Sequence, residues 1–213
     1  MTIEDCAAAH RRLLETVATV TDEDARRPSR LPGWTVGHVL THLARNADSH
    51  VRMLDAAARG EVAAQYAGGG EQRAGDIEAG AGRSALDLAA DVRRTVAELE
   101  AAWDRTAPEV WATGKGRMSW SGDVPISQLP LLRLREVEVH HADLGLSFAW
   151  SDWSDVYVDA DLPRQLAGLP ERLAPADQRR LLAWLLGRLD GDPGGLPDLL
   201  AWQRDQRPSH RDP

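Results

Sequence analysis

Residues 133–145, which read RLREVEVHHADLG, indicate how the chain is organised. On a helical wheel at about 100° per residue, Glu136 and His140 lie one turn apart inside the apolar stripe, whereas Glu138 and His141 fall on the opposite, wet face. The apolar members of that stripe are Leu129, Leu132 and Val139. Burying a carboxylate and an imidazole is costly unless they are paired. The two groups could pair with each other or share a metal ion, and this segment alone leaves both hypotheses open.

Composition sets the class of protein. The chain has 213 residues, of which 43% are hydrophobic, so it can form one sizeable domain, or one domain with an appendage. The formal net charge of −8 argues against a nucleic-acid partner held through phosphate contacts. One cysteine, Cys6, allows no intramolecular disulfide and fits a reducing compartment. Because no signal-type segment and no apolar run of about 20 residues is present, we expect a cytoplasmic protein without a membrane partner.

Apolar residues spaced three and four apart predict four long helices. They are expected at residues 3–20, 35–60, 84–104 and 127–145, with Thr35 and Ser127 as N-caps and Gly145 just after the last helix. Residues 60–83 are rich in glycine and poor in core residues, which predicts a long connection, either a crossover loop, a mobile lid or both. Four long helices with a long second connection are typical of a mainly α, four-helix bundle with crossover topology.

The remaining segments have less regular patterns. Residues 108–125 predict a turn-rich connection or a short hairpin, and a further helix is expected at 175–188. The aromatic residues Phe148, Trp150, Trp153 and Tyr157 could pack a seam between domains or line a pocket. In the first helix, Cys6 and His10 share the apolar stripe and are interpreted as core residues.

Facing helices of such a bundle place ligands inward. In the second predicted helix, His42 lies on the flank of the apolar stripe, His50 lies close to its centre and His38 points away. His42 can therefore join Glu136 and His140 of the fourth helix. Two histidines and one carboxylate leave coordination positions open, which is the ligand pattern of a catalytic metal site rather than a structural one.

Two motifs resemble a known family. Residues 31–47, LPGWTVGHVLTHLARNA, and residues 135–145, REVEVHHADLG, resemble the second- and fourth-helix signatures of the mycothiol-dependent maleylpyruvate isomerase family, within the DinB-like superfamily. The order and separation of the motifs also match that family. The resemblance extends over residues 1 to about 148.

The resemblance implies a DinB-like metal-binding bundle at residues 1–148 and a reduced C-terminal region at 149–213. It implies a divalent metal, with zinc as the expected ion, held by His42, Glu136 and His140, and it does not extend to His38, His50 or His141 as ligands. Gly187-Arg188 matches a late segment of the family, so Arg188 is the candidate for catalysis and for binding an acidic substrate or a group of the thiol cofactor. The C-terminal part is shorter than in the enzymes of known activity.

The function implied by the resemblance is a thiol-dependent metalloenzyme. Its metal would bind the sulfur of mycothiol, and the thiolate would add to an electrophilic small molecule, as an isomerase or an S-transferase. Asn46, as a cofactor-binding candidate, and Asp143 could orient the ligands. The alternatives are a non-enzymatic protein that binds a metal or small ligand in stress response or regulation, and a metal-free bundle with a Glu136–His140 ion pair. The sequence does not give the oligomeric state.

Overall fold

The structure, a computed structural model, describes residues 2–119 and 121–186. Their helices and strands are α1 Ile3–Val17, α2 Asp22–Arg26, α3 Val36–Ala58, α4 Gly69–Ala81, α5 Ala85–Arg105, α6 Pro108–Thr113, β1 Lys115–Met118, β2 Gly122–Pro125, α7 Leu129–Asp143, α8 Asp155–Ala167 and α9 Pro175–Leu185. The two strands pair antiparallel, with Lys115 opposite Pro125, so the predicted short hairpin at 108–125 is confirmed and is preceded by one short helix.

The four predicted long helices, α1, α3, α5 and α7, form the bundle and confirm the mainly α fold class. Helix α3 packs against α5 and α7, and α1 packs against the same two helices. Their apolar stripes meet in one core, to which each helix contributes fully buried side chains such as Leu13, Leu43, Leu88 and Leu134. Cys6 lies in this core, as predicted. The bundle therefore brings α3 and α7 face to face, which is the pair that carries the candidate ligands.

The start of α3 is determined by a reciprocal cap. Thr35 Oγ1 accepts a hydrogen bond from the backbone N–H of His38 at 3.4 Å, and His38 Nδ1 accepts one from the N–H of Thr35 at 3.1 Å. The two bonds satisfy backbone donors that the first helical turn leaves unpaired. His38 is thereby used at the end of the helix, and its Nε2 lies 3.2 Å from Glu78. The interpretation that His38 points away from the core stripe agrees with this position.

The long second connection contains a helix that the sequence pattern did not predict. Helix α4 occupies Gly69–Ala81 and buries only Ile77 and Ala81 along its length. It crosses the beginning of α3 closely, because a Cβ atom built on Gly37 would collide with the carbonyl oxygen of Ala81. The sequence pattern did not predict α4 because its glycines disfavour a helix and it has no apolar stripe. Its stability depends instead on the contact with α3.

Two predicted helix ends differ from the structure. Ser127 was expected to cap the fourth helix, but residues Ile126–Gln128 form a 3₁₀ turn that leads into α7, and Gln128 makes no side-chain cap. The other end is confirmed, because Gly145 follows α7 with a φ of 68°, a conformation that favours glycine. The first helix ends at Val17 rather than at residue 20.

The face of α7 expected to be wet is buried, which corrects the helical-wheel prediction. Glu138 and His141 are only 1% and 2% exposed. Glu138 accepts a hydrogen bond at 2.7 Å from Arg12 of α1, while Nε2 of His141 lies 2.7 Å from Thr16 Oγ1. His141 also stacks on Phe148 at a ring separation of 3.8 Å. Helix α7 is covered on this side by α1 and by residues 148–157, which follow α7 and contain four aromatic side chains; we call these residues the aromatic segment.

The aromatic segment packs inside the first compact unit of the structure. Trp153 Nε1 donates to the carbonyl oxygen of Glu138 at 3.0 Å and meets Tyr157 edge to face, whereas Trp150 is exposed. The first unit ends at Tyr157 and the second begins at Val158. The described part of the second unit is helical, and the proposed division into residues 1–148 and 149–213 stays a prediction. Among the described residues, no helix has both the length and the apolar content needed to span a membrane.

Candidate metal centre

Three side chains from two helices meet in the core of the bundle. His42 comes from α3, and Glu136 and His140 come from α7. Glu136 Oε2 lies 2.9 Å from Nε2 of His42 and 3.4 Å from Nε2 of His140, and the two rings meet edge to face with centroids 4.7 Å apart. One potential ligand atom from each residue lies within 4.8 Å of the others. The structure thus brings together the three residues that the sequence singled out.

Burial and the neighbouring polar groups together determine the charges of this cluster. His42 is 2% exposed, and its burial lowers the pKa to about 4, so the imidazole is neutral at pH 7. Burial also opposes the charge on Glu136, but hydrogen bonds from His140 and His42 outweigh it and hold the pKa well below its usual value. For His140, burial acts to lower the pKa, yet the carboxylates of Asp143 and Glu136 together raise it to about 9. Without a metal, the cluster is therefore a carboxylate beside one neutral and one cationic imidazole.

The Nδ1 atoms of the two imidazoles contact side chains of opposite charge. His140 Nδ1 lies 2.8 Å from Asp143 Oδ2, one turn further along α7. A carboxylate in this position holds the Nδ1 proton and leaves Nε2 available, which is the usual support of a metal-binding histidine. His42 Nδ1 instead lies 3.3 Å from Nη2 of Arg73, which belongs to α4.

Aromatic side chains form a wall beside His42. Trp34 meets the ring of His42 edge to face at 5.7 Å, and it is positioned by a tight turn in which Gly33 has a φ of 79°. The guanidinium of Arg73 lies 5.9 Å from the centre of the Trp34 ring and 5.8 Å from that of Tyr66. The hydroxyl of Tyr66 is buried and has no hydrogen-bond partner among the described residues. Trp34 therefore packs directly on His42, whereas Tyr66 is connected to the cluster through Arg73.

A buried arginine extends the polar cluster by one turn along the bundle. Arg133 is fully buried, and its Nη1 donates to the side chain of Asn46 at 2.8 Å and to the carbonyl oxygen of Leu43 at 2.9 Å. Its Nε donates to His10 at 3.1 Å. Nη2 of Arg133, Nδ2 of Asn46 and both ring nitrogens of His50 are buried without a hydrogen-bond partner among the described residues. Polar groups therefore continue from the cluster of His42, Glu136 and His140 into the core.

The other predicted residues are placed as follows. His10 is a core histidine, paired with Glu100 at 2.9 Å as well as with Arg133. Asn46 lies one turn from His42 on α3 and accepts the hydrogen bond from Arg133. Arg188, the predicted catalytic and cofactor-binding residue, lies outside the described residues.

Sequence reasoning did not single out four residues near the cluster: Trp34, Tyr66, Arg73 and Arg133. The helical wheel carried a signal for Arg133, because it lies three residues before Glu136 on the same side of α7. Tyr66 and Arg73 lie in the glycine-rich connection, where no periodicity marks them. Backbone pairing of residues 63–65 with Arg117 of β1 and the close crossing of α4 over α3 hold that connection against the bundle.

The donor set fits a divalent metal. Two imidazoles and a carboxylate are the ligand types of catalytic zinc sites, and three protein ligands leave a position for a further ligand. His140 Nε2 is buried, and its partner among the described residues is Glu136 Oε2 in a long, 3.4 Å contact, while its Nδ1 is held by Asp143. A ring oriented through Nδ1, with Nε2 directed at a carboxylate that also faces a second imidazole, is the arrangement that a metal site requires, so the residues present suit the ion.

Comparisons with known proteins identify the family of this chain. Residues 6–145 match the family model described as the mycothiol maleylpyruvate isomerase N-terminal domain. The structure resembles a crystal structure of the mycothiol-dependent maleylpyruvate isomerase, at 26% identity, and that of a histidine-to-alanine mutant, at 25%. In each case the TM-score is 0.68, and the match covers 75% of this chain and 67% of the other. A search of curated proteins finds no match. Since the family model covers most of the chain, this protein belongs to the mycothiol maleylpyruvate isomerase N-terminal domain family.

Proposed function

We propose that the protein is a metal-dependent isomerase that uses mycothiol to isomerise a small unsaturated carboxylic acid of the maleylpyruvate type. His42, Glu136 and His140 would hold the divalent metal, for which zinc is the first candidate. The observation that carries the proposal is the convergence of both Nε2 atoms on one oxygen of Glu136, in a chain that matches this family over residues 6–145.

The proposed chemistry needs a thiolate at neutral pH. A bound divalent cation lowers the pKa of a thiol that reaches it, and this supplies the nucleophile. Addition of the thiolate to a conjugated double bond turns that bond into a single bond, rotation changes its geometry, and elimination restores both the double bond and the thiol. The cofactor is regenerated, so no oxidant or reductant is consumed.

The residues of this chain provide position and shielding for that chemistry. Asp143 keeps the ring of His140 oriented through the 2.8 Å contact. The ring of Trp34 packs edge to face on His42 and would keep water from that side of the imidazole, which strengthens electrostatic interactions inside the cluster. Asn46 retains an unpaired Nδ2 for a cofactor or substrate oxygen, and Arg188 remains the proposed partner of an acidic group. A cytoplasmic location, where a reduced thiol is available, belongs to the same proposal.

The test is isomerisation of maleylpyruvate by zinc-loaded protein in the presence of mycothiol. We expect turnover by the wild type and a loss of more than about 100-fold in Glu136→Gln, which keeps the size of the side chain but removes an anionic ligand. Glu78→Gln is the matched control, because Glu78 is an exposed partner of His38 and should leave the rate unchanged.

The product distinguishes the remaining hypotheses. Recovery of free mycothiol with the isomerised acid supports the isomerase, whereas accumulation of a thioether would indicate an S-transferase. No turnover by the zinc-loaded wild type, or equal turnover by Glu136→Gln, would overturn the proposal. The non-enzymatic alternative is not favoured by the family match, since the matched solved structures are those of an isomerase.

A further inference from the structure

Arg73 has an unusual set of neighbours for a half-buried cation. Its Nη2 lies 3.3 Å from Nδ1 of His42, and its guanidinium lies about 6 Å from the ring centres of Trp34 and Tyr66. No carboxylate of the described residues forms an ion pair with it. Its anchors among the described residues are thus two aromatic side chains and one imidazole nitrogen, and none of them carries a negative charge that would pair with the guanidinium.

The contact with His42 defines where the imidazole proton lies. A guanidinium can only donate, so His42 Nδ1 must accept. The proton of the neutral ring is then on Nε2, where it is donated to Glu136 Oε2 at 2.9 Å. Arg73 and Glu136 therefore favour the same tautomer of His42.

That tautomer is the wrong one for a metal ligand. A histidine that binds a metal through Nε2 carries its proton on Nδ1 and donates it to an acceptor. His140 already has this arrangement, because Asp143 faces its Nδ1. In His42 the Nδ1 proton would face an N–H of Arg73 across 3.3 Å, and two donors at that distance repel each other.

We propose that metal binding displaces Arg73 from His42 and that the released guanidinium then binds a carboxylate group of the substrate beside the metal. This inference rests on the proposed function. The imidazole proton moves from Nε2 to Nδ1 through solvent, so His42 stays neutral and no net proton is consumed. Trp34 and Tyr66 retain the guanidinium near the cluster, and a guanidinium binds a carboxylate through two parallel hydrogen bonds. Arg73 thereby couples occupation of the metal site to recognition of an acidic substrate.

The first experiment measures zinc affinity by competition with a chromogenic chelator. Arg73→Met removes the donor that opposes the metal-binding tautomer, and Arg73→Gln replaces it with an amide whose oxygen can accept the Nδ1 proton. We therefore expect both variants to bind zinc at least about tenfold more tightly than the wild type. Arg83→Met is the control for loss of a nearby positive charge, because Arg83 reaches Thr41 Oγ1 at 3.5 Å, next to His42, without contacting the imidazole. Its zinc affinity should stay within about twofold of the wild type, and circular dichroism checks the fold of each variant.

The second experiment uses succinate, an unreactive dicarboxylate, as the probe in isothermal titration calorimetry. We expect zinc-loaded wild type to bind succinate at least about tenfold more tightly than either the metal-free wild type or zinc-loaded Arg73→Met. Equal zinc affinity in the wild type and both Arg73 variants, or equal succinate binding by the three samples, would overturn the inference and leave the proposed function in place. Failure of the wild type to bind zinc would overturn both.

Discussion

Asp143 offers a graded test of whether His140 is a metal ligand. Its carboxylate lies 2.8 Å from His140 Nδ1 and is 19% exposed, so the contact is largely shielded from solvent. Asp143→Ala leaves Nδ1 without its acceptor, and loss of such an outer partner typically weakens metal binding about 10- to 100-fold. That range corresponds to about 1.4–2.8 kcal/mol of binding free energy. Asp143→Asn keeps an oxygen that can accept the same proton, so its loss should be smaller, less than about tenfold.

The assay is zinc affinity from chelator competition at neutral pH, with Asp152→Ala as the control. Asp152 accepts a hydrogen bond from the backbone N–H of Ala149 at the surface, away from the cluster, and its replacement should not change zinc binding. NMR titration of the metal-free protein gives a second readout, because the pKa of His140 should fall from about 9 when one of its two carboxylates is removed. Unchanged zinc affinity in Asp143→Ala, or a larger loss in the asparagine variant, would refute the reasoning.

Two further predictions concern stability. Burial lowers the pKa of His10 to about 4 and of His50 to about 3. Below about pH 6.5, these histidines are therefore protonated in the unfolded chain but still neutral in the native state. The free energy of unfolding should therefore fall as the pH decreases below 6.5, by about 1.4 kcal/mol per pH unit for each histidine. In urea denaturation, His50→Gln should reduce the slope of the free energy of unfolding against pH. An identical slope in wild type and variant would contradict the assignment of His50 as a buried neutral group. Gly37→Ala should destabilise the protein by about 1–3 kcal/mol, because the new Cβ meets the carbonyl of Ala81. Gly75→Ala, with nothing within 4 Å of the new Cβ, should stabilise α4 by about 0.5–1 kcal/mol, and equal effects of the two changes would argue against the close crossing.

Sequence periodicity predicted the bundle and the convergence of its candidate ligands. The long helices have apolar stripes that are strong enough to specify both their extent and their inward face. Because His42, Glu136 and His140 lie on or beside those stripes, their meeting follows once α3 and α7 pack together. The cap formed by Thr35 and His38 was equally local, so the orientation of His38 was accessible to the same argument.

Features that depend on contacts between distant segments were not predictable in this way. Glu138 and His141 are polar and lie opposite the apolar stripe, yet α1 and the aromatic segment bury them through specific hydrogen bonds and stacking. Helix α4 has almost no apolar face, and its place is set by the close approach to Gly37. The contact of Arg73 with His42 depends on where α4 lies, so no local sequence pattern could predict it.

The most direct test of the metal centre compares zinc content in three proteins purified under gentle conditions. The wild type and His38→Ala should each retain about one zinc per chain, because His38 belongs to the cap of α3 and its Nε2 faces Glu78. His42→Ala, one turn further along the same helix, should lose the metal while keeping its helical circular dichroism. No zinc in the wild type, even after zinc is added, or full zinc content in His42→Ala, would contradict the assignment of His42, Glu136 and His140 as a metal centre.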